Sequence, residues 1–287
     1  MNLLTLTGRN LKVFFRDKTS VFFSLLAVFI VIGLYVLFLG DGMAKGLSHH
    51  GGDMRFLIDS WIMAGILSVT AVTTTMGAFG IMVEDRANNI IKDFSSSPIR
   101  RTTLAGGYIL GAFIIGVIMS LVALVLFEVY IVAQGGALLG LAAVVKVIGI
   151  MLLSVLASSA MVFFIVSFFR STNAFATAST IIGTLIGFLT GIYIPIGNLP
   201  EAVQAVIKVF PVSHSAALFR QVVMEAPMAS VFASAPAAAQ EQFSLSMGVV
   251  YRFGDTLTTA ATSIWVLVAA VAVFFALATL NIRRKLR

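Results

Sequence analysis

The chain has 287 residues, 59% of them hydrophobic and 11% charged, with a mean hydropathy of +1.04. A water-soluble domain carries about 25% charged residues and could not hide this much apolar surface, so the bilayer is the expected solvent. The net charge of +7 comes from basic residues at the ends of apolar runs, which points to anionic headgroups rather than nucleic acid, and the lack of cysteine excludes disulfides, thiol catalysis and cysteine-ligated metals.

Residues 1–19 read as an amphipathic interface helix. Leu4, Leu11 and Phe15 share one face, while Arg9, Lys12 and Arg16 lie on another; a simple basic anchor is the alternative. The first apolar run, Ser20 to Leu39, is longer than a signal-peptide core and lacks a small-residue cleavage site. Six stretches approach the about 20 apolar residues that cross a bilayer: about 20–40, 58–82, 104–132, 141–168, 174–194 and 261–281. Alternating barrel patterning is absent, so each is expected to be helical. The expected fold is an all-α membrane protein with six transmembrane helices.

Span two is polar along its middle, with Ser68, Thr70, Thr73, Thr74 and Thr75; path lining and internal hydrogen bonding both fit. After it comes the charged segment Glu84 to Arg101, in which Ile90, Ile91 and Phe94 make an apolar edge and Ser97-Pro98 halts the helix. A short amphipathic helix of this kind suits docking into a partner's groove. Gly107 and Gly111 in span three, and Gly183, Gly187 and Gly191 in span five, repeat at four-residue spacing and predict close helix packing. Glu128 and Lys146 lie near the outer ends of spans three and four, where solvation or mutual pairing is expected.

Residues 195–260 form a long loop broken by Pro195, Pro200 and Pro211. Leu199, Val203, Val206, Ile207 and Phe210 give it an apolar face, so a short element tucked back against the membrane is expected, then an external helical cap over the Ala-rich Glu225 to Ser246. Residues 261–287 supply span six and a basic tail. Roughly two thirds of the 19 basic residues fall on the side that holds both termini, which the positive-inside rule assigns to the cytoplasm.

A catalytic search is negative. There is no phosphate-binding G-x-x-x-x-G-K-[ST] loop, no H-E-x-x-H and no G-x-S-x-G. His49, His50 and His214 all read as outer-loop residues, without the third ligand that a metal site would need. No carboxylate sits at mid-membrane, where an ion-coupled carrier would place one.

Residues 84–98 resemble the coupling helix of type-2 ABC export permeases, whose pattern is roughly R-E-R-x-x-G-T-L-E-x-L-x-x-[ST]-P. Asp85 falls on the acidic position, Arg86 on the second arginine, Ile91 and Phe94 on the two leucines, and Ser97-Pro98 on the closing pair. Asn89 replaces the glycine, and Glu84 and Lys92 reverse two charges. Gly191-Ile-Tyr-Ile-Pro195, Leu199-Pro200 and Phe210-Pro211 resemble the family's G-x-x-x-P…L-P…P signature.

The resemblance implies a multi-pass subunit of the bacterial plasma (inner) membrane that is no enzyme itself. It would pair with a second permease copy, alike or related, and dock two cytoplasmic ABC ATPase subunits; it would bind no cofactor, the ATP-Mg residing on the partner. In that reading Asp85, Arg86, Asn89, Ile91, Phe94, Ser97 and Pro98 dock the ATPase. Ser68, Thr70, Thr74 and Thr184 line the path, and Pro195, Leu199, Pro200 and Pro211 gate the exit. The charge-poor spans favour export of a drug, antimicrobial peptide or lipid. Polysaccharide or sodium export, or a non-transporting assembly or immunity factor, are the alternatives.

Overall fold

The computed structural model describes residues 2–34, 54–91 and 99–284. Helix α1, Leu3–Arg16, starts where the Asn2 side chain accepts the Thr5 N–H at 2.9 Å. It ends at Asp17, whose carboxylate caps the next helix by accepting the Thr19 and Ser20 N–H groups and the Ser20 hydroxyl. Those hydrogen bonds, chiefly from Ser20, lower the Asp17 pKa. Helix α2, Lys18–Leu34, is the described part of the first predicted span; the rest of that span lies outside the described residues.

The remaining long helices are α3 Met54–Ala87, α4 Arg101–Ala133, α5 Leu141–Val166, α6 Thr172–Leu189 and, last in the chain, α11 Ala260–Arg284. These five are long and apolar enough to cross a membrane, which makes the chain an all-α, multi-pass membrane protein. Helix α3 is the axis, packed against α4, α5, α6, α2 and α8 (Pro211–Val223). Between Leu57 and Val83 only Thr73, Gly77 and Gly80 escape burial. The other long helices turn an apolar flank outward, as Val125, Val145, Ile181 and Trp265 do, the pattern expected where lipid is the solvent.

Helix α1 lies on α4, and its buried residues are Leu6, Thr7, Asn10 and Phe14. This corrects the predicted apolar face in part: Leu4 is 71% exposed and Phe15 also points outward, while Leu11 is half-buried against the core. A helix with apolar residues on two sides can bury either, and the floor decides. Gly106, Gly107 and Gly111 leave a trough for Leu3, Leu6 and Asn10, and a Cβ at Gly107 would come within 2.7 Å of Leu6. The Asn10 amide also donates to the Gly107 carbonyl at 3.2 Å.

Beyond α6 the chain breaks into short pieces. A 3-10 turn, Ile196–Asn198, leads to α7, Glu201–Val209, and then to α8, which crosses α7 at 84°. Pro211 occupies the first turn of α8, where its missing N–H costs nothing. Helix α8 enters the bundle, with Val212 through Arg220 buried. His214 is therefore no loop residue. It is 1% exposed and bonded to the Ser263 hydroxyl at 3.1 Å and the Lys208 carbonyl at 2.8 Å. Helices α9, Glu225–Val231, and α10, Ala237–Ser246, follow, with a short hairpin pairing Arg252 with Leu257 and Phe253 with Thr256. Lys146 pairs with Glu225 at 3.6 Å rather than with Glu128, which accepts the Leu139 N–H at 3.2 Å.

Candidate functional site: a cleft beside the central helix

The open face of α3 is a stripe at helical spacing, Thr73, Gly77, Gly80 and Glu84, separated by four, three and four residues. It borders a cleft of about 550 Å³ between α2, α3 and α6, lined on the facing helices by Ser20, Ser24, Ser179 and Thr180. A second hollow of about 500 Å³ shares Ser20, Gly77 and Phe175 with it and continues past Asp17, Glu84 and Asn88. Together they form a trough with hydroxyls along its length and acids at one end. Ile181, Thr184 and Leu185 of α6 are exposed but line neither hollow.

None of the predicted path residues Ser68, Thr70, Thr74 and Thr184 lines either hollow. Ser68, Thr70 and Thr74 are buried in the packed body of α3. Ser68 and Ser154 each share a 2.6 Å hydrogen bond with Ser215, a knot of three hydroxyls joining α3, α5 and α8. Thr74 donates to the Thr70 carbonyl. Thr73, part of the polar stretch read in span two, lines the cleft; the residues missed from sequence were Ser20, Ser24, Ser179 and Thr180. Small and hydroxylated positions at 73, 77 and 80, matched by 176, 180 and 183, were the available signal.

At the end of α3 that follows Gly80, Asp85 is 3% exposed. Arg9 of α1 forms a bidentate pair with it, the longer bond 2.7 Å, and the Tyr108 hydroxyl of α4 donates to it at 2.6 Å. The bond to Asp85 raises the Arg9 pKa. Arg86 donates to the Phe169 carbonyl at 2.7 Å and the Val166 carbonyl at 3.3 Å, at the C-terminal end of α5, where the helix dipole favours a cation. Both charges are thus engaged inside the chain, joining α3 to α1, α4 and α5. Asn89, exposed, turns the chain with φ of 61°, a left-handed conformation that Asn tolerates better than most residues. Ile91 is half-buried, while Phe94, Ser97 and Pro98 lie outside the described residues.

At the far end of α3, the Trp61 indole N–H donates to the Met247 carbonyl at 2.8 Å, and the Arg220 guanidinium lies 5.0 Å from the Trp61 ring. Arg220 is fully buried and donates to the carbonyls of Thr190 at 2.7 Å and Gly248 at 3.3 Å. Gly191, at φ 70°, turns the chain at the end of α6 and brings Tyr193 back over Gly187, where a Cβ would clash with the ring at 2.1 Å. The glycine series of span five therefore accommodates this return within the chain, and Gly183 meets no neighbour. Pro195 opens the 3-10 turn, Leu199 packs with Ile196, Ile207 and Tyr251, and Pro200 and Pro211 bracket α7.

The family model described as ABC-2 family transporter protein matches residues 54–280. A search of curated proteins finds no match.

Proposed function

The chain belongs to the ABC-2 family of transporter proteins, a membrane transport subunit whose ATPase is a separate protein, and on that premise we propose that it exports a hydrophobic or amphipathic substrate. It works as a dimer, alike or mixed, in a bacterial plasma membrane with both termini in the cytoplasm. Residues 84–98 receive the stroke of the ATPase subunits, with Asn89, Ile91, Phe94, Ser97 and Pro98 meeting the partner. Asp85 and Arg86 pass the movement to α1, α4 and α5.

The observation that carries the transport reading is the trough along the open face of α3. Its apolar walls with spaced hydroxyls suit a drug, an antimicrobial peptide or a lipid, and a second copy spanning α2 and α6 would close it. The region from Pro195 to Pro211 closes its outer end.

The cysteine-free sequence makes the test clean. Single cysteines at Thr73, Thr180, Ser68 and Val125 are labelled with a small polar maleimide in vesicles carrying the ATPase partner. Thr73 and Thr180 should react faster than buried Ser68 and lipid-facing Val125, at rates that change when ATP hydrolysis is trapped with vanadate. Equal rates at Thr73 and Ser68 would remove the trough as a path. Separately, Phe94→Asp should abolish stimulated ATPase activity and transport with insertion intact; wild-type transport by it would end the docking role.

A further inference from the structure

A groove of about 790 Å³ lies between α7, α8, the hairpin and α11, and shares no lining residue with the trough. Its two ends differ in chemistry. Lys208, Thr256 and Thr262 line one end, near the start of α11, beside Phe253 and Leu257 of the hairpin. Val266, Ala269, Ala270, Val273 and Phe274 follow on one face of α11. From Thr262 to Phe274 the helix rises about 18 Å, close to the about 15 Å depth of one leaflet's hydrocarbon.

Side-chain size makes the hollow. Ala269 and Ala270 form its floor, whereas Ile264, Trp265, Val268 and Leu277 cover the exposed faces of the same helix. Lys208 forms no ion pair among the described residues. The hydrogen bond from His214 to the Lys208 carbonyl fixes the backbone that carries the cation. A cation with hydroxyls at the membrane edge, above an apolar slot one leaflet deep, complements one kind of molecule: an anionic phosphate on an acyl chain.

We propose that this groove holds one phospholipid of the adjoining leaflet, its phosphate at Lys208 and one acyl chain along α11 over Ala269 and Ala270. The site goes beyond the transport reading, because it lies on the outer wall of the chain and requires no particular cargo. Its occupant would also brace the elbow at Pro211, since Lys208 lies in the last turn of α7 and His214 in the first turn of α8.

The test is native mass spectrometry of the full-length chain in detergent, titrated with phosphatidylglycerol. One lipid per chain should be retained below the concentration at which further adducts appear. Lys208→Glu should raise the concentration needed by at least about fivefold, the worth of one lysine toward an anionic headgroup. Ala269→Trp, at an exposed position, should do the same by filling the slot, while Val268→Trp, outside the groove, should change nothing. A diazirine at mid-chain should crosslink to residues 266–274. Retention unaltered in both Lys208→Glu and Ala269→Trp would overturn the site. Equal retention of glycerol phosphate would reduce it to an anion contact, and crosslinks spread evenly over α4 and α5 would make the lipid non-specific.

Discussion

A carboxylate buried at the end of a membrane helix needs its charge balanced, and at Asp85 a guanidinium and a phenol supply the balance from two other helices. Removing one partner of a buried pair leaves the other unpaired, a larger penalty than the pair's own net worth. The Arg9 side chain keeps 30% of its exposure, so Asp85→Asn should lower stability by about 2 kcal/mol, below the fully buried case. Tyr108→Phe should cost about 1 kcal/mol. Unfolding followed in mixed micelles with Arg9→Gln, Asp85→Asn and the double variant gives the coupling directly. Additive losses would mean that the pair is not formed. That Asp85 and Arg86 carry charge was plain in the sequence; what they touch was not, because Arg9 lies 76 residues from Asp85 and Phe169 lies 83 from Arg86. A charged segment between two spans looks the same whether its charges face a partner or fold inward.

Among the elements, α1 shows how a floor selects a face. The sequence offers Leu4, Leu11 and Phe15 on one side and Leu6, Asn10 and Phe14 on another, and periodicity alone ranks neither. The trough at Gly106, Gly107 and Gly111 admits the second set. Gly107→Leu should therefore lift α1 from α4, at an overpacking cost of about 1–3 kcal/mol. With Leu6→Cys as reporter, the thiol should be protected from maleimide alone and reactive beside Gly107→Leu. Protection in both would show that α1 is held from elsewhere. The long helices were legible as apolar runs, and Pro211 as a break. The destination of the chain after Pro211 was not, because Val212 to Val223 carries serines, His214 and Arg220 that read as loop residues. In the fold those groups are satisfied by Ser68, Ser154, Ser263 and the Thr190 and Gly248 carbonyls, from distant parts of the chain.

Across the whole molecule, α3 is one uninterrupted helix of 34 residues, about 51 Å from end to end. The cluster around Asp85 and Arg86 holds one end, and Trp61, Arg220 and the Met247 carbonyl hold the other. A stiff helix fastened at both ends transmits axial movement, so a displacement at residues 84–91 reaches the contacts that fix the end of α6 and the 247–248 turn. If the Trp61–Met247 contact carries that movement, weakening it should separate hydrolysis from transport. Trp61→Phe keeps most of the ring volume and removes the N–H donor, a loss of about 1 kcal/mol. In vesicles with the ATPase partner, the variant should retain substrate-stimulated hydrolysis and move fewer substrate molecules per ATP. Arg220→Gln, which exchanges the cation over Trp61 for a neutral donor, should shift the ratio in the same direction and further. Gel filtration and thermal unfolding separate this effect from misfolding. Hydrolysis and transport falling together, in folded protein, would mean that the far end of α3 holds the fold but carries none of the stroke.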